Sequence, residues 1–434
     1  MNDIKVKFIT LGCKTNIYES QAMAQLFEEV GFEVVERGSA DVCVVNTCTV
    51  TGTGASKSLK LIRRARRENP NGVLAVCGCL AQTEADRLKN EEIDVLIGNK
   101  YRNQMVSLCL DALNGKKSVR IENILKESQF EELGIVHRQR RIRAEIKIED
   151  GCNNFCAYCK IPYARGPVRS RGIERIAEEA RALGNDGFGE IVLTGIHIGS
   201  YGKDLNDGTG LIDVMEIVAR ESGTPRLRLG SLEPVMITEE FTKRAKKIES
   251  LCPQFHLSLQ SGCDKTLEAM RRRYKTADFK RAVENLRMAF PDAAITTDLI
   301  VGFPGETEED FEISKAFCED IGFSQMHIFP YSAREGTAAA GFPDKVSDED
   351  KNKRAHIMLE SAKDMKSAFY KKYIGTQTEV LFEQKKDGKF VGMTRNYMEA
   401  RTEADTDIRG KFINVAIVGY NENEEYLECE IKQL

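Results

Sequence analysis

Three cysteines in Gly151-Cys152-Asn153-Asn154-Phe155-Cys156-Ala157-Tyr158-Cys159 make a C-x3-C-x2-C array. Thiolates are the soft ligands that iron–sulfur clusters require, and a loop this short can bring three of them to one cluster. A cubane cluster has four irons, so three cysteines leave one iron open for a small molecule to bind and react. The alternative reading is structural zinc. Such sites usually take four ligands, often as paired C-x2-C units, and no second pair follows here.

A second set is dispersed. Cys13 lies in Leu11-Gly12-Cys13-Lys14-Thr15-Asn16, Cys48 in Asn46-Thr47-Cys48-Thr49-Val50 and Cys79 in Gly78-Cys79-Leu80-Ala81-Gln82. Each follows a strand-like run: Lys5 to Thr10, Val42 to Val45 and Val73 to Val76. Helical patterns intervene at Tyr18 to Gly31, with Ala22, Leu26, Phe27 and Val30 on one face, and at Thr53 to Arg67. A fourth strand at Val95 to Ile97 and a helix through Leu113 follow. Such alternation predicts a doubly wound parallel sheet, which binds ligands along the carboxyl ends of its strands. Three thiolates far apart in sequence then meet at one point, where glycines let the backbone approach closely. This predicts a second cluster, again with only three protein ligands. A single buried cysteine is ordinarily a small core hydrophobe, and Cys43, Cys109, Cys252, Cys263, Cys318 and Cys429 take that reading. Cys77, two residues before Cys79, has no assigned role.

At 434 residues the chain exceeds one ordinary domain. A composition 41% hydrophobic and 30% charged is that of a soluble globular protein. No apolar run approaches the roughly 20 residues that span a bilayer. Met1 to Lys5 enters a strand-like run with no signal-peptide pattern, which predicts a cytoplasmic protein. In a reducing compartment, thirteen cysteines indicate metal or redox chemistry rather than disulfides. The net charge of −4 gives no general attraction for nucleic acid, so any such partner is met by local basic patches.

The set Gly12-Cys13, Asn46-Thr47-Cys48 and Gly78-Cys79-x-Ala81-Gln82, followed by the Cys152 loop, resembles the methylthiotransferase family of radical S-adenosylmethionine (SAM) enzymes over nearly the whole chain. The family has branches acting on isopentenyladenosine of tRNA, on ribosomal protein S12, and on threonylcarbamoyladenosine of tRNA. Leu193-Thr194-Gly195-Ile196-His197-Ile198-Gly199-Ser200-Tyr201-Gly202, Arg228-Leu229-Gly230-Ser231-Leu232-Glu233-Pro234 and Met326-His327-Ile328-Phe329-Pro330-Tyr331-Ser332 resemble the last, MtaB-like branch. The resemblance implies two 4Fe–4S clusters. One is on Cys152, Cys156 and Cys159 with SAM on its open iron, the other on Cys13, Cys48 and Cys79. One SAM then methylates sulfur on the second cluster. Another is cleaved at the first to a 5′-deoxyadenosyl radical, which removes hydrogen from C2 of the modified adenine next to the anticodon. The implied partners are tRNA, through its anticodon loop, and an external electron donor, with no membrane and no obligate protein partner.

Further along, Glu145 to Ile148, Glu190 to Thr194, Leu227 to Leu229, His256 to Leu259, Ile295 to Val301 and Met326 to Phe329 read as strands. Helices fit between them, for example Ile173 to Leu183, Lys265 to Met270 and Glu308 to Ile321. Repeated β/α units predict a full or partial barrel with its site at the strand ends, and the resemblance implies the partial form. Gly189 and Glu190 resemble a family Gly-Gly-Glu segment holding the SAM amino group, with Phe188 in place of its first glycine. Ser231 and Glu233 are expected near the ribose or carboxylate of SAM, and Tyr158 beside its adenine. His256, Ser258 and Gln260 share one strand face, which reads as interior packing, and Asp298 is a candidate for the barrel lumen.

The last stretch holds short β runs at Thr378 to Phe382, Lys389 to Met393, Phe412 to Val418 and Tyr426 to Ile431. These predict a small antiparallel barrel, which resembles the RNA-binding TRAM module. The expected division is 1–120 for the auxiliary cluster, 121–143 as a linker, 144–371 for radical chemistry and 372–434 for the small barrel. Several basic groups read either as solvated surface or as phosphate contacts. They are Arg138, Arg140, Arg141 and Arg143 in the linker; Arg165, Arg169 and Arg171 after the cysteine loop; and Lys57, Lys60, Arg63, Arg64 and Arg67 on one helix. Arg271-Arg272-Arg273-Tyr274-Lys275, and Lys385, Lys386, Lys389, Arg395 and Arg401 of the small barrel, complete the set. An iron–sulfur RNA-binding or redox-sensing protein without group transfer is the competing function. It accounts for the cysteines and the basic patches, but not for a barrel with an open-iron loop.

Overall fold

The computed structural model describes residues 4–49, 52–137 and 142–431. The first six strands are β1 (Lys5–Thr10), β2 (Glu33–Val35), β3 (Val42–Thr47), β4 (Val73–Gly78), β5 (Val95–Ile97) and β6 (Ser118–Arg120). They form one parallel sheet in the order β2-β1-β3-β4-β5-β6. β3 and β4 are buried along their whole length, the mark of a parallel strand covered on both sides. Val42, Val44, Val73, Ala75 and Cys77 pack with Met23, Phe27, Met105 and Leu108 on one face. Cys43, Val45, Leu74 and Val76 pack with Ala55, Leu59 and Ile62 on the other. Cys77 is therefore a core residue, pointing away from the edge where Cys79 lies. The edge strands β2 and β6 have three residues each, too few for a sequence period to declare them.

The first helix is Lys14–Glu29, four residues longer at its start than its apolar stripe predicts, with Cys13 at its N-cap. The added turn holds the buried polar residues Thr15 and Asn16, and the next turn holds Glu19. These face the cysteines rather than the core, so hydrophobic periodicity cannot see them. Val30, expected on the apolar face, is exposed.

The central region carries β7 (Arg143–Lys147), β8 (Glu149–Asp150), β9 (Arg169–Ser170), β10 (Glu190–Thr194), β11 (Arg226–Leu229), β12 (Gln254–His256), β13 (Ala294–Val301) and β14 (Gln325–Pro330). Parallel pairing gives β11-β10-β7 and β12-β13-β14. Single parallel bridges, Leu227 to Leu251 and Leu232 to Leu257, join the two groups into a six-stranded open barrel. The predicted linker is fastened down. Leu133 and Val136 are buried against Tyr18 and Ala22, and Gln25 donates to Ile135 O at 2.8 Å. Its basic residues Arg138, Arg140 and Arg141 lie outside the described residues.

A long helix, Asp348–Lys371, leads into a closed five-stranded barrel. Its strands are β15 (Gln377–Lys386), β16 (Lys389–Thr394), β17 (Glu399–Thr402), β18 (Phe412–Asn421) and β19 (Tyr426–Ile431), in the order β15-β16-β17-β19-β18. β17, four residues long, is the strand that sequence alone did not reveal. No helix among the described residues is long and apolar enough to cross a membrane.

Candidate active site

The dispersed cysteines meet because three parallel strands end side by side. Cys13 follows β1, Cys48 follows β3 and Cys79 follows β4. The approach demands glycine at two places. Gly12 has φ +126°, and a Cβ there would stand 3.2 Å from the Cys48 Cβ. Gly78 has φ +96°, and a Cβ there would strike Asn46 Oδ1 at 2.5 Å. Asn16 ties the strand ends, donating to Leu11 O at 2.8 Å and Thr47 O at 3.0 Å. Ser58 clamps Cys48, accepting from its N–H at 3.1 Å and donating to its carbonyl at 3.0 Å.

The contiguous set is held locally. β8 and β9 pair antiparallel, closing the chain from Gly151 to Val168 into a loop. Cys152 N–H donates to Gly166 O at 3.0 Å, and Cys159 N–H to Cys156 O at 2.9 Å. Gly151 has φ +90°, and a Cβ there would fall 1.9 Å from Pro167 O. Burial pushes the Cys152 and Cys159 thiols up to about 12, and a bound metal would displace their protons. Tyr158 packs edge-on to Phe303, 6.5 Å between ring centroids.

Each set has an arginine N–H aimed at one sulfur. Arg165 Nε donates to Cys79 Sγ at 3.3 Å, and Asn99 Nδ2 reaches the same sulfur at 3.6 Å. Arg272 Nη1 donates to Cys156 Sγ at 3.2 Å, and its Nη2 to Glu233 Oε1 at 2.9 Å. Among the described residues no three side chains of His, Cys, Asp or Glu close tightly enough for a single ion. A cubane spaces its thiolates more widely. Cys156 is near enough to raise the titration of Cys152 and Cys159, and Cys79 near enough to raise that of Cys13. Three thiols per set, each set met by a cationic N–H donor, fit anionic iron–sulfur clusters.

Arg165 joins the two sets. Fully buried, it touches Cys79, Asn16 Oδ1 at 2.6 Å, Glu19, and Asp150 Oδ2 at 3.2 Å. Asp150 in turn accepts from Gly151 N–H at 2.9 Å, at the mouth of the cysteine loop. Burial raises both carboxyls, but the surrounding cations outweigh it. Arg102, Arg165 and Lys147 hold Glu19 at about 2, and Lys147, Arg165, Arg169 and Arg102 hold Asp150 well below its ordinary value. Glu149 is the opposite case. Burial pushes it up to about 8, and its carboxylate accepts from His197 N–H at 2.7 Å.

Of the other predicted contacts, Glu233 lies beside the cysteine loop, accepting from Asn154 Nδ2 at 2.9 Å and lying 3.3 Å from His197 Nε2. Ser231 is exposed at the same sheet edge. Gly189 and Glu190 are a correction. Gly189 precedes β10 and Glu190 begins it, at the amino edge of the barrel, whereas ligands collect at the carboxyl edge. Glu190 is buried, bonded to Arg228 at 2.7 and 3.1 Å, and a Cβ on Gly189 would strike Phe412 at 2.7 Å. The motif match missed this because it weighed residue types without their place along the strand.

The basic groups sort similarly. Arg165, Arg169 and Arg171 are buried in ion pairs, so neither the surface nor the phosphate reading holds for them. Arg272 serves Cys156 and Glu233. Arg143 bonds Glu383 at 3.0 Å, Arg395 caps Glu249 O at 2.6 Å, and Arg401 bonds Glu399 at 2.8 Å. Lys385 and Lys386 of the β15–β16 hairpin remain exposed, as do Lys57, Lys60, Arg63, Arg64 and Arg67, two of which pair with Glu91 and Glu68.

A polar chamber of about 350 Å³ opens between Cys13 and the barrel, walled by Thr194, Gly195, Ser231, His256 and His327. His256 Nε2 lies 3.4 Å from Asp298. A larger recess of about 890 Å³ lies near Lys160 and Tyr163. Its cations Lys160 and Arg87 already pair with Glu84, at 3.6 and 3.0 Å, which leaves the chamber the better candidate for a substrate.

Residues 146–318 match the Radical SAM superfamily, and residues 5–98 match a family described as Uncharacterized protein family UPF0004. The chain is 39% identical to a Bacillus subtilis protein named threonylcarbamoyladenosine tRNA methylthiotransferase MtaB, over 96% of this chain and 95% of that one. A Thermotoga maritima protein of the same name is 38% identical over 87% and 86%. An Acetivibrio thermocellus tRNA-2-methylthio-N(6)-dimethylallyladenosine synthase is 33% identical over 94% and 87%. Among solved structures, the radical SAM methyltransferase TsrM of Kitasatospora setae, with cobalamin and a 4Fe–4S cluster bound, aligns at TM-score 0.60. That likeness, at 15% identity over 78% of this chain and 77% of that one, is one of fold. Two family matches spanning both cysteine sets, and relatives matching end to end, place this chain in the methylthiotransferase family of radical SAM enzymes.

Proposed function

We propose that this protein transfers a methylthio group to C2 of N6-threonylcarbamoyladenosine next to the anticodon of tRNA. The observation that carries the reading is that Arg165 bonds Cys79 of one thiol triad and reaches the mouth of the other's loop through Asp150, while Cys13 lines a polar chamber. Cys152, Cys156 and Cys159 would hold one 4Fe–4S cluster with SAM, and Cys13, Cys48 and Cys79 a second. When bound, these groups supply hydrogen-atom abstraction and a methylthio donor.

The chain's own residues position and shield that chemistry. Arg272 places a cationic donor on Cys156 and holds the Glu233 carboxylate beside the cysteine loop, where it would meet the polar end of SAM. Ser231 would flank the same end, and Tyr158 would meet the adenine. Arg165 and Asn99 direct N–H groups at Cys79, and N–H donors to cluster sulfur stabilise the reduced, more negative state. The C-terminal barrel acts as a TRAM-like module, its lysines Lys385, Lys386 and Lys389 contacting tRNA. The protein works in the cytoplasm with an external one-electron donor and no obligate protein partner. Residues 1–120, 144–371 and 372–434 serve as auxiliary-cluster, radical and RNA-binding units, with 121–143 strapping the first two together.

The test is mass spectrometry of nucleosides from tRNA incubated with the anaerobically reconstituted protein, SAM and reductant. The tRNA carries both threonylcarbamoyl- and isopentenyl-adenosine without methylthio groups. A methylthio gain on the threonylcarbamoyl nucleoside is expected. A gain only on the isopentenyl nucleoside would reassign the substrate, and no gain with SAM still cleaved would direct the search to ribosomal protein.

A further inference from the structure

The chamber has an unbalanced charge. Lys14, Arg228, His256 and His327 border it, and no aspartate or glutamate among the described residues lines it. Two of the four are already committed. Arg228 is bonded twice to Glu190, at 2.7 and 3.1 Å. His256 is held at Nδ1 by Thr296 Oγ1 (3.0 Å) and faces Asp298 from Nε2 (3.4 Å).

The other two are available. His327 is exposed, its ring 6.2 Å from that of His256, and no described residue hydrogen-bonds its imidazole. Lys14 is exposed and makes no ion pair among the described residues. It is the first residue of a 16-residue helix, where unsatisfied backbone N–H groups and the helix dipole favour an anion. Beside it Thr15 Oγ1 is a separate signal. It lines the chamber at 1% exposure with no hydrogen-bond partner. A buried hydroxyl left unpaired costs free energy, and a ligand atom in the chamber would relieve it.

We propose that Lys14 and His327 hold the carboxylate of the threonylcarbamoyl arm, with Thr15 Oγ1 bonding its neutral polar atoms. The proposal rests on the substrate reading above and explains the choice it makes. An isopentenyl arm is hydrocarbon. Placed here it would leave a cation, an imidazole and a buried hydroxyl unsatisfied, and sites built for polar groups reject analogues lacking them.

The experiment measures dissociation constants of the reconstituted full-length protein for three synthetic anticodon stem-loops. One carries the threonylcarbamoyl arm, one the same arm with its carboxylate converted to a neutral carboxamide, and one plain adenosine. Wild type is expected to prefer carboxylate over carboxamide by about ten- to a hundredfold, the range for a hydrogen bond to a charged group. Lys14→Gln and His327→Gln each shrink that ratio toward one without weakening carboxamide binding more than about twofold, and Lys14→Arg keeps it. A wild-type ratio near one, or a full ratio in both glutamine variants, overturns the proposal. If the wild-type ratio is near one while wild type still methylthiolates the threonylcarbamoyl loop, only this inference fails. If wild type does not methylthiolate that loop, the functional reading fails first.

Discussion

Cys152, Cys156 and Cys159 share one loop, pinned by a two-residue strand pair and its own backbone hydrogen bonds. Cys13, Cys48 and Cys79 come from three strand ends and meet only if the whole N-terminal sheet is in register. The first set is fixed by local chain geometry, the second by tertiary structure. A one-residue slip of a parallel strand would turn its side chains to the other face and scatter the second set, while leaving the first intact. Arg165 is the exception, because it touches the dispersed set directly and the loop through Asp150.

The largest expected effect separates the two jobs. Cys156→Ala should reduce both 5′-deoxyadenosine formation and methylthio transfer by more than about a thousandfold. Cys48→Ala should abolish transfer to the same extent while leaving SAM cleavage within about threefold. Chromatography of the 5′-deoxyadenosine and of the tRNA nucleosides reads both. Equal loss in the two variants would break the comparison.

Next come the arginines. Arg165→Ala removes a buried cation from Glu19 and Asp150, a change that costs about 3–5 kcal/mol. A lowered melting temperature and reduced iron at both sets should follow. Arg272 serves the loop alone, so Arg272→Gln should lower iron there and spare the dispersed set. Iron loss at both sets in each variant would show that Arg165 has no special place.

The smallest effect concerns two adjacent carboxyls. Asp150 lies in the cation network of the dispersed set, whereas Glu149 lies under the loop and titrates near 8 in the folded protein. Its folded value exceeds the unfolded one, so its contribution is fully present below about 4.5 and is lost as the pH rises through 8. Glu149→Gln should therefore flatten the fall in melting temperature between pH 5 and 9. An unchanged slope would mean that Glu149 is not held neutral.

How much was legible in the sequence follows the same division. The C-x3-C-x2-C loop could be read from spacing because its geometry is local. The dispersed set could be read only through strand–helix alternation, which also located the two larger folds. Arg165 and Arg272 read only as members of basic groups, since their partners Glu19 and Glu233 lie far away in sequence. Glu190 was misplaced because a short motif does not say which end of a strand it occupies. Thr15 and Asn16 fell outside the predicted helix because their turn faces a polar site.

The central claim is that each triad holds its own cluster. Mössbauer spectroscopy with iron and sulfide analysis of the reconstituted wild type and of two triple variants tests it directly. The variants replace Cys13, Cys48 and Cys79, or Cys152, Cys156 and Cys159, with alanine. Wild type should carry about eight irons in two cubane clusters, and each triple variant about four in one. A triple variant that keeps the full iron content, or that loses all of it while remaining folded, would contradict the account.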